Sequence, residues 1–436
     1  NITNDISNMR RYQVMHLHVG YNPRIHGYLD PYESLLNGDI DQKGDRDNEN
    51  EYKPALFYPT NPSDSNAHLC YVFFTYNELG KETLYTIEGD VIEDNTIIEC
   101  RYNMSKGDGF QWEPLRVRYD KTAKYRAGEK DFGNAYHVAN NNWNSIHHPI
   151  TVEMITKGIN IPAYLESYDY YKKTDKRKSN IIGMRDFHNL LVKRVLIKSV
   201  TKPGDTLIDV TCGKGGDINK WIESKLSFVF GMDLFENNIK NKVDGVCARY
   251  LNERKRRNGR LPGMIFIQGD ATKNIRKKEN TEDMLGKKVI NTIFGIKNEK
   301  DVGRGVSTYY SRGKDGFDVH SCQFALHYMF KNMDTLREYV TNIVETTKKG
   351  GYYIGCCYDG KRVFEKCRSI KKDGVYTIKK DDTPILKIVK KYDYEDYLDD
   401  SSSLGYAIGV GQETIMEQDE YLVNFTYFTR VMESVG

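Results

Sequence analysis

The sequence predicts an α/β fold, with a doubly wound domain preceded by a small antiparallel β-barrel. Residues 205–233 read as a buried strand, a glycine-rich turn, a helix and a second apolar strand that ends in an acid. Strand and helix patterns continue to alternate through residues 169–436, which is typical of a parallel sheet covered by helices. Short apolar runs separated by turns over residues 67–126 are typical of an antiparallel barrel.

The glycine-rich turn indicates a bound nucleoside. Glycines at 213, 215 and 216 let the backbone approach a ligand, and Asp233 at the next strand end can accept from ribose hydroxyls. A purely structural turn is the alternative. The turn lacks the Gly-Lys-Ser/Thr of a P-loop and is not a strict GxGxxG, so S-adenosylmethionine fits better than ATP or NAD.

Length and composition bound the other possibilities. A chain of 436 residues should hold two or three domains, and its first residue, Asn1, indicates a piece of a longer polypeptide. The net charge of +3 means that any affinity for RNA must come from local basic patches. The eight cysteines show no zinc spacing and read as reduced thiols, so no metal site is predicted. No apolar run or signal peptide indicates a membrane partner.

Three regions follow one another. Residues 1–66 are irregular and acidic in the middle, and they read as the edge and connecting segment of a larger domain. Residues 67–165 hold the predicted barrel and a linker, and residues 166–436 hold the α/β domain. Within the last region, residues 366–400 are charge-dense and read as an exposed hairpin-like insertion.

Polar residues mark the strand ends of the α/β domain. Ligands of doubly wound sheets lie outside the carboxyl ends of the strands, where Asp233, Asp270 and Gln323 should all fall. Asp270 has a plainer alternative as a turn cap. Lys193 likewise reads, on pattern alone, as a surface lysine of an amphipathic helix.

From Asn180 onward the chain resembles the eukaryotic and viral mRNA cap guanine-N7 methyltransferases. The resemblance is carried, in family order, by DVTCGKGGD, GMD, GDAT, SCQFALHYMF, GGYYIGCCYDG and DEYLVNF. It implies a Rossmann-like class I methyltransferase domain that uses S-adenosylmethionine. The preceding WEPLRVRYDKT resembles the closing motif of the oligonucleotide-binding-fold (OB-fold) end of a GTP:RNA guanylyltransferase. This tandem order resembles the multifunctional capping enzymes of large DNA viruses.

Three departures from these families matter. No KxDG nucleophile motif occurs, so guanylyl transfer is not expected from this chain alone. Thr211 stands where the methyltransferases usually have glycine, so contact to the cofactor there should be through the backbone. The family's cap-contacting tyrosine lies well beyond EYLV and is expected to be absent.

The resemblance implies a cofactor set. Lys193 should meet the methionine carboxylate, Asp233 the ribose hydroxyls, and Asp270 with Ala271 the adenine edge. Gln323 should contact the methionine end. The remaining members of the implied cofactor set are Thr211, Gly213 and Tyr328.

The resemblance also implies a cap set, with His327, Tyr328 and Glu420 as the catalytic residues. Glu420 should accept from guanine N1–H and N2–H2, His327 should donate to O6, and Tyr328 should shape the space between methyl donor and base. Around them, the implied contacts to the cap and its phosphates and sugar are Asn189, Lys214, Lys220 and Arg249. An isolated His-Tyr pair is otherwise usually core.

The guanylyltransferase closing motif would place four residues along one strand, facing the nucleotide phosphates of a core that is not in this chain. They are Arg116, Arg118, Asp120 and Lys121. The alternative is an exposed edge strand made soluble by charge.

The implied partners are RNA with a GpppN 5′ end and the rest of a capping polypeptide, with triphosphatase and nucleotidyltransferase domains. A stimulatory subunit is left open, and the expected location is the host cytoplasm, in a viral factory, or the virion. Two other readings stay open: a methyltransferase of another target, and a non-catalytic module that binds RNA or a partner.

Overall fold

The computed structural model describes residues 11–39, 52–60, 62–129, 132–159, 180–257, 261–380, 383–412 and 415–436. Its contacts divide the chain into two compact units. The first contains Asn1–Asp30 and Lys43–Ile161, and the second contains Pro31–Gln42 and Pro162–Gly436. The sequence-based boundary at residue 66 stays a prediction, and the one at residue 165 lies outside the described residues.

The strands, in chain order, are β1 (Tyr12–His16), β2 (His18–Tyr21), β3 (Lys53–Leu56), β4 (Leu69–Phe73), β5 (Thr75–Tyr76), β6 (Glu82–Thr83), β7 (Ile98–Tyr102), β8 (Trp112–Val117), β9 (Thr206–Asp209), β10 (Phe228–Asp233), β11 (Gly263–Gln268), β12 (Phe317–Gln323), β13 (Thr347–Cys356), β14 (Val375–Lys380), β15 (Thr383–Lys390), β16 (Ala407–Gln412) and β17 (Ile415–Tyr421).

The α-helices are α1 (Pro23–His26), α2 (Pro31–Asn37), α3 (Tyr119–Arg126), α4 (Tyr136–His147), α5 (Val152–Lys157), α6 (Ile182–Asp186), α7 (Lys193–Val200), α8 (Ile218–Glu223), α9 (Glu236–Lys240), α10 (Val246–Arg256), α11 (Met284–Ile293), α12 (Arg304–Ser307), α13 (Leu326–Met329), α14 (Met333–Thr346), α15 (Gly360–Cys367) and α16 (Phe425–Ser434). A π-helical stretch, Phe187–Val192, joins α6 to α7. Among the described residues, no helix is both long and apolar enough to span a membrane.

The strands of the first unit pair two by two, as antiparallel β1–β4, β2–β3, β5–β6 and β7–β8. Their core is aromatic, and its buried members include Tyr21, Phe57 and Trp143. Helix α4 delivers Trp143, whose indole N–H donates to the carbonyl of Pro62 at 2.9 Å. The ladders of the described strands do not extend beyond these pairs, so the predicted OB-fold barrel stays a prediction.

The second unit is built on a parallel sheet in the order β11-β10-β9-β12-β13. Every residue of β9 and β10 is buried, as expected of strands covered on both faces. The strand order reverses between β9 and β12, and ligands of such sheets bind at the carboxyl ends beside that reversal. This confirms the predicted Rossmann-like architecture.

A second, antiparallel sheet follows in the order β14-β15-β16-β17. Strands β14 and β15 form a hairpin within the stretch that the sequence marks as an insertion. Strand β17 returns toward the parallel sheet and carries Glu420 directly opposite Ile408. The antiparallel sheet therefore supplies one residue of the predicted cap set to the larger domain.

Helix α2, at the amino-terminal side of the chain, belongs to the second unit. It buries Tyr32, Leu35 and Leu36 in the same core as the parallel sheet. Two glycines make room for it, since a Cβ on Gly303 or Gly305 would lie 2.3 Å from a carbonyl oxygen of the helix. The family motifs that begin at Asn180 gave no sign of this contribution.

Candidate active site

The glycine-rich turn leaves the end of β9 and is tied to the end of β10. Gly213 has a φ of 52° and Gly215 a φ of 73°, which favour glycine. A side chain at Gly215 would also lie 2.7 Å from Ile218 and Val246. The amide of Gly213 donates to Oδ2 of Asp233 at 2.9 Å. The turn therefore lies at the switch point of the sheet, with Gly213 and Gly215 buried and Gly216 exposed.

Asp233 is buried and accepts three hydrogen bonds from the protein. Oδ1 accepts from the amide of Phe235 at 3.0 Å and from Nδ2 of Asn238 at 2.8 Å, while Oδ2 accepts from Gly213. Burial raises the pKa of this carboxyl against the opposing effect of these donors. Since a carboxylate has about four acceptor positions, one remains for a ligand hydroxyl.

Lys193 and Lys220 share one buried carboxylate. The Lys193 ammonium lies 3.0 Å from Oδ2 of Asp217, and that of Lys220 lies 2.7 Å from Oδ1. Burial opposes ionisation, yet the two lysines hold the pKa of Asp217 below its usual value. Lys193 is therefore not a surface lysine. Lys220, implied by the resemblance as a contact to the cap, is 5% exposed and also donates to the carbonyl of Gly216.

Thr211 and Asp209 lie beside the cluster formed by the two lysines and Asp217. The amide of Thr211 donates to Oδ1 of Asp209 at 3.1 Å, and its hydroxyl lies 3.8 Å from the sulfur of Cys322. Burial, reinforced by Asp217, raises the pKa of Asp209 to about 7. The threonine is thus accommodated with its side chain turned to the protein.

Asp270 follows β11 and does cap a turn. Its Oδ1 accepts from the amide and the hydroxyl of Thr272, at 2.9 and 2.7 Å, while Oδ2 takes no hydrogen bond from the described residues. Ala271 is 6% exposed, and its carbonyl accepts from Asn342 at 3.0 Å. One oxygen of Asp270 is therefore available to a ligand.

Gln323 is the last residue of β12, and both the nitrogen and the oxygen of its side-chain amide are hydrogen-bonded within the protein. Its Nε2 donates to the hydroxyl of Ser321 at 3.2 Å, and its Oε1 accepts from the thiol of Cys356 at 3.0 Å. Phe324 then turns the chain with a φ of 58°, a conformation that costs free energy in a residue other than glycine. This turn directs the chain into α13 with its His-Tyr pair.

His327 and Glu420 meet inside the second unit. Nε2 of His327 lies 3.7 Å from Oε1 of Glu420, and the two residues are only 3% and 4% exposed. Burial lowers the pKa of His327 to about 3 and raises that of Glu420 to about 8, so at pH 7 the imidazole is neutral and the carboxyl mostly protonated. The Tyr328 ring stands edge-on to the imidazole, with centroids 4.2 Å apart.

The other predicted cap residues are less buried. Lys214 donates to both carboxylate oxygens of Asp244 at 3.0 Å. The half-buried Arg249 guanidinium makes no ion pair with the described residues. Asn189 lies in the π-helical stretch and donates to the carbonyl of Arg185 at 3.0 Å. Such stretches are frequent at functional sites.

In the first unit, the prediction that four residues of the closing motif alternate along one strand is wrong. Strand β8 ends at Val117 because the chain turns at Arg118 and enters α3, whose first turn holds Asp120 and Lys121. Arg116 and Arg118 lie 2.9 and 3.6 Å from Glu99.

Sequence reasoning missed Asp209, Asp217 and Cys357. Asp217 closes the motif DVTCGKGGD three residues before Lys220, a spacing at which side chains on a helix meet. Cys357 lies 3.4 Å from Nδ1 of His327 and had no signal beyond its place in GGYYIGCCYDG. All eight cysteines are free.

Comparison with known proteins gives the family. Residues 161–436 match the family model of the mRNA (guanine-N(7))-methyltransferase domain. A probable mRNA-capping enzyme of Acanthamoeba polyphaga mimivirus is 28% identical over 375 residues, or 82% of this chain and 30% of that protein. The mRNA cap guanine-N(7) methyltransferase of Aspergillus niger is 32% identical over 222 residues, or 48% of this chain and 35% of that protein.

The mRNA cap guanine-N(7) methyltransferase 1 of Oryza sativa is 27% identical over 208 residues, or 47% of each protein. The chain thus spans between about a third and a half of the length of these relatives. The family model covers most of the chain, including every residue of the site except the first-unit motif. The chain belongs to the mRNA (guanine-N(7))-methyltransferase family.

Proposed function

We propose that this chain methylates N7 of the guanosine cap of mRNA, using S-adenosylmethionine. The observation that carries the proposal is the buried pair of His327 and Glu420, 3.7 Å apart, each with an unpartnered polar atom. A buried donor and a buried acceptor left without partners cost free energy unless a ligand meets them. Guanine offers what both require: a carbonyl at O6, and donors at N1 and N2.

The cofactor set fits S-adenosylmethionine. Gly216 of the glycine-rich turn is exposed, Asp233 keeps one acceptor position for a ribose hydroxyl, and Asp270 keeps one oxygen for the adenine amino group. Lys193 would meet the methionine carboxylate while keeping its contact with Asp217. When bound, the cofactor supplies a methyl group already activated on a positively charged sulfur.

The residues around the cap orient the base rather than move protons. Guanine N7 has a free lone pair, so no residue has to act as a general base. Glu420, once ionised, accepts from N1–H and N2–H2 and stabilises the positive charge that develops on the base. His327 donates to O6, and Tyr328 limits the space between the base and the methyl group.

Lys214 and Arg249 are the cations best placed for the triphosphate bridge. Arg249 makes no ion pair among the described residues, and the Lys214 partner Asp244 is half-exposed, so both can be redirected to a phosphate. Lys220 contributes indirectly, because it is buried against Asp217 and neutralises the carboxylate that Lys193 also contacts.

A direct assay tests the function. Purified protein with labelled S-adenosylmethionine is offered GpppA-capped RNA, free GTP and a histone, and S-adenosylhomocysteine binding is measured by calorimetry. Transfer to capped RNA alone supports the proposal. Transfer to GTP or histone favours another target, and no cofactor binding favours a non-catalytic module, for which Thr211 is the motivating departure.

Cap methylation should depend on pH through Glu420. Since its pKa is raised to about 8, the free protein is mostly protonated at pH 7 and must lose that proton to accept from guanine. We expect kcat/KM for the cap to rise about fivefold from pH 7 to pH 8 and to level off above about pH 9 at roughly ten times its value at pH 7, because this parameter reports groups of the free enzyme.

Glu420→Gln should flatten that pH profile at a lower value. Asp209, with its pKa near 7, lies beside the cofactor turn and would affect both proteins alike. If the variant keeps the wild-type pH profile, Glu420 does not take part in cap recognition.

For the wider protein, we propose that the chain is part of a capping polypeptide of a large DNA virus that also has triphosphatase and nucleotidyltransferase domains. The first unit would be the OB-fold end of the guanylyltransferase, a stimulatory subunit is a further candidate partner, and the protein would act in the host cytoplasm or virion. The likeness to the mimivirus capping protein over 82% of the chain supports this.

The closing motif should then be dispensable for methylation. Arg116→Ala and Lys121→Ala should change cap methylation by no more than about twofold, since surface substitutions usually alter free energies by under about 0.5 kcal/mol. Both should abolish guanylyl transfer in a longer enzyme with a nucleotidyltransferase core, whereas Arg126→Ala, at the other end of α3, should not. A large loss of methylation would instead link this motif to the methyltransferase site.

A further inference from the structure

His327 lies between two side chains that decide where its ring proton sits. Nδ1 is 3.4 Å from the sulfur of Cys357, a hydrogen-bond distance for sulfur. Nε2 is 3.7 Å from Oε1 of Glu420, which is too long for a hydrogen bond, and it is buried without a hydrogen-bond partner. The ring thus makes one hydrogen bond, and that bond is on the side away from the proposed guanine site.

A neutral imidazole carries its single N–H on one of two nitrogens, and the partner of the other nitrogen selects which. Burial lowers the pKa of His327 to about 3, so the ring is neutral. A donor facing Nδ1 puts the proton on Nε2. An acceptor facing Nδ1 does the reverse, and Nε2 then has no hydrogen for a guanine carbonyl.

The Cys357 thiol is placed to be the donor. Burial, reinforced by Cys322 and Glu420, raises its pKa, so it keeps its hydrogen. Among the described residues, the Cys357 sulfur has no hydrogen-bond partner other than Nδ1 of His327. Its S–H hydrogen therefore remains available for Nδ1 of the ring.

We propose that Cys357 is a positioning residue for the cap methylation proposed above, donating to Nδ1 of His327 and so fixing the ring proton on Nε2, where it faces the guanine site. In the opposite arrangement the ring N–H points to sulfur, and the thiol hydrogen is left without an acceptor among the described residues.

The tautomer can be read without substrate. The full chain is labelled with 15N-histidine, and His327→Gln assigns the His327 signals among the ten histidines. Ring nitrogens with and without hydrogen differ widely in 15N shift. We expect protonated Nε2 and bare Nδ1 in wild type and in Cys357→Ser, and a mixture in Cys357→Ala. A protonated Nδ1 in wild type overturns the proposal, whatever the activity.

Kinetics supply the second readout. Cys357→Ala should lower kcat/KM for capped RNA by about two- to fivefold, no more than the value of one neutral hydrogen bond, with S-adenosylhomocysteine affinity unchanged. Cys357→Ser should recover to within about twofold of wild type. The control Cys367→Ala removes a thiol buried in a different cluster and should have no effect on the cap.

A double variant separates positioning from packing. If Cys357 acts only through the ring, Cys357→Ala combined with His327→Ala should be no worse than His327→Ala alone, whereas an independent structural role would make the losses add. Additive losses, or full activity in Cys357→Ala, overturn the proposal. If wild-type protein methylates no cap, the proposed function fails, while the 15N spectrum still decides the tautomer.

Discussion

Glu420→Gln is expected to slow methyl transfer to capped RNA by roughly 30- to 1,000-fold, or about 2–4 kcal/mol. The glutamine keeps the size of the side chain but turns one acceptor oxygen into a donor, which would face the donors of guanine. It also removes the negative charge that stabilises the methylated base. Single-turnover methylation of GpppA-RNA measures the effect.

Two measurements control for damage elsewhere. Affinity for S-adenosylhomocysteine should barely change in Glu420→Gln, and His327→Ala should lose only about 1 kcal/mol, since one neutral contact to O6 is missing. Wild-type rates in Glu420→Gln would mean that another residue reads the cap.

The fold itself should tolerate the Glu420→Gln change. Because the pKa of Glu420 is raised from 4.5 to about 8, its contribution to stability is present at acid pH and is lost as pH rises through this window. The glutamine variant avoids that loss. Near pH 8 it should therefore unfold at a temperature no lower than that of wild type.

Asp233→Ala is expected to lower affinity for S-adenosylhomocysteine by roughly 10- to 150-fold, since one hydrogen bond to a charged acceptor is worth about 1.5–3 kcal/mol. The substitution removes the proposed ribose acceptor. It also frees the amides of Gly213 and Phe235, so the glycine-rich turn loses its tie to β10. Calorimetric titration measures the affinity.

A matched control keeps this test specific. Asp301 is an exposed carboxylate paired with Lys288, and Asp301→Ala should leave cofactor affinity at the wild-type value. Thermal unfolding of both variants shows whether Asp233→Ala stays folded, and Asp233→Asn offers a milder change. Unchanged affinity in folded Asp233→Ala would exclude Asp233 as the ribose acceptor.

The parallel sheet was predictable because its signals are local. Continuous apolar runs predicted β9 and β10, and the glycines between them predicted the turn. Parallel strands deliver their carboxyl ends to one edge, so Asp233 and Gln323 could be grouped from sequence. Pairings such as β1 with β4 depend on contacts across more than 50 residues and leave no local signal, so the barrel could not be established the same way.

Within the site, the sequence did not predict how deeply each side chain is buried. Lys220 reads as an exposed lysine on a helix, yet it lies buried against Asp217 and the carbonyl of Gly216. The sequence likewise does not indicate which thiols are buried or what they contact. The role proposed for Cys357 depends on a 3.4 Å distance that links α13 to the end of β13.

Helix α2 has a consequence for how the protein is made. Its partners among α10 and α12 end at Ser307, roughly 270 residues after it, so at about 5–20 residues per second the ribosome completes them about 15 to 50 s later. Until then Tyr32, Leu35 and Leu36 lack part of the core that they enter, because α12 is still missing. A nascent chain would thus expose this apolar helix to chaperones and aggregation until translation reaches the glycines at 303 and 305 that receive it.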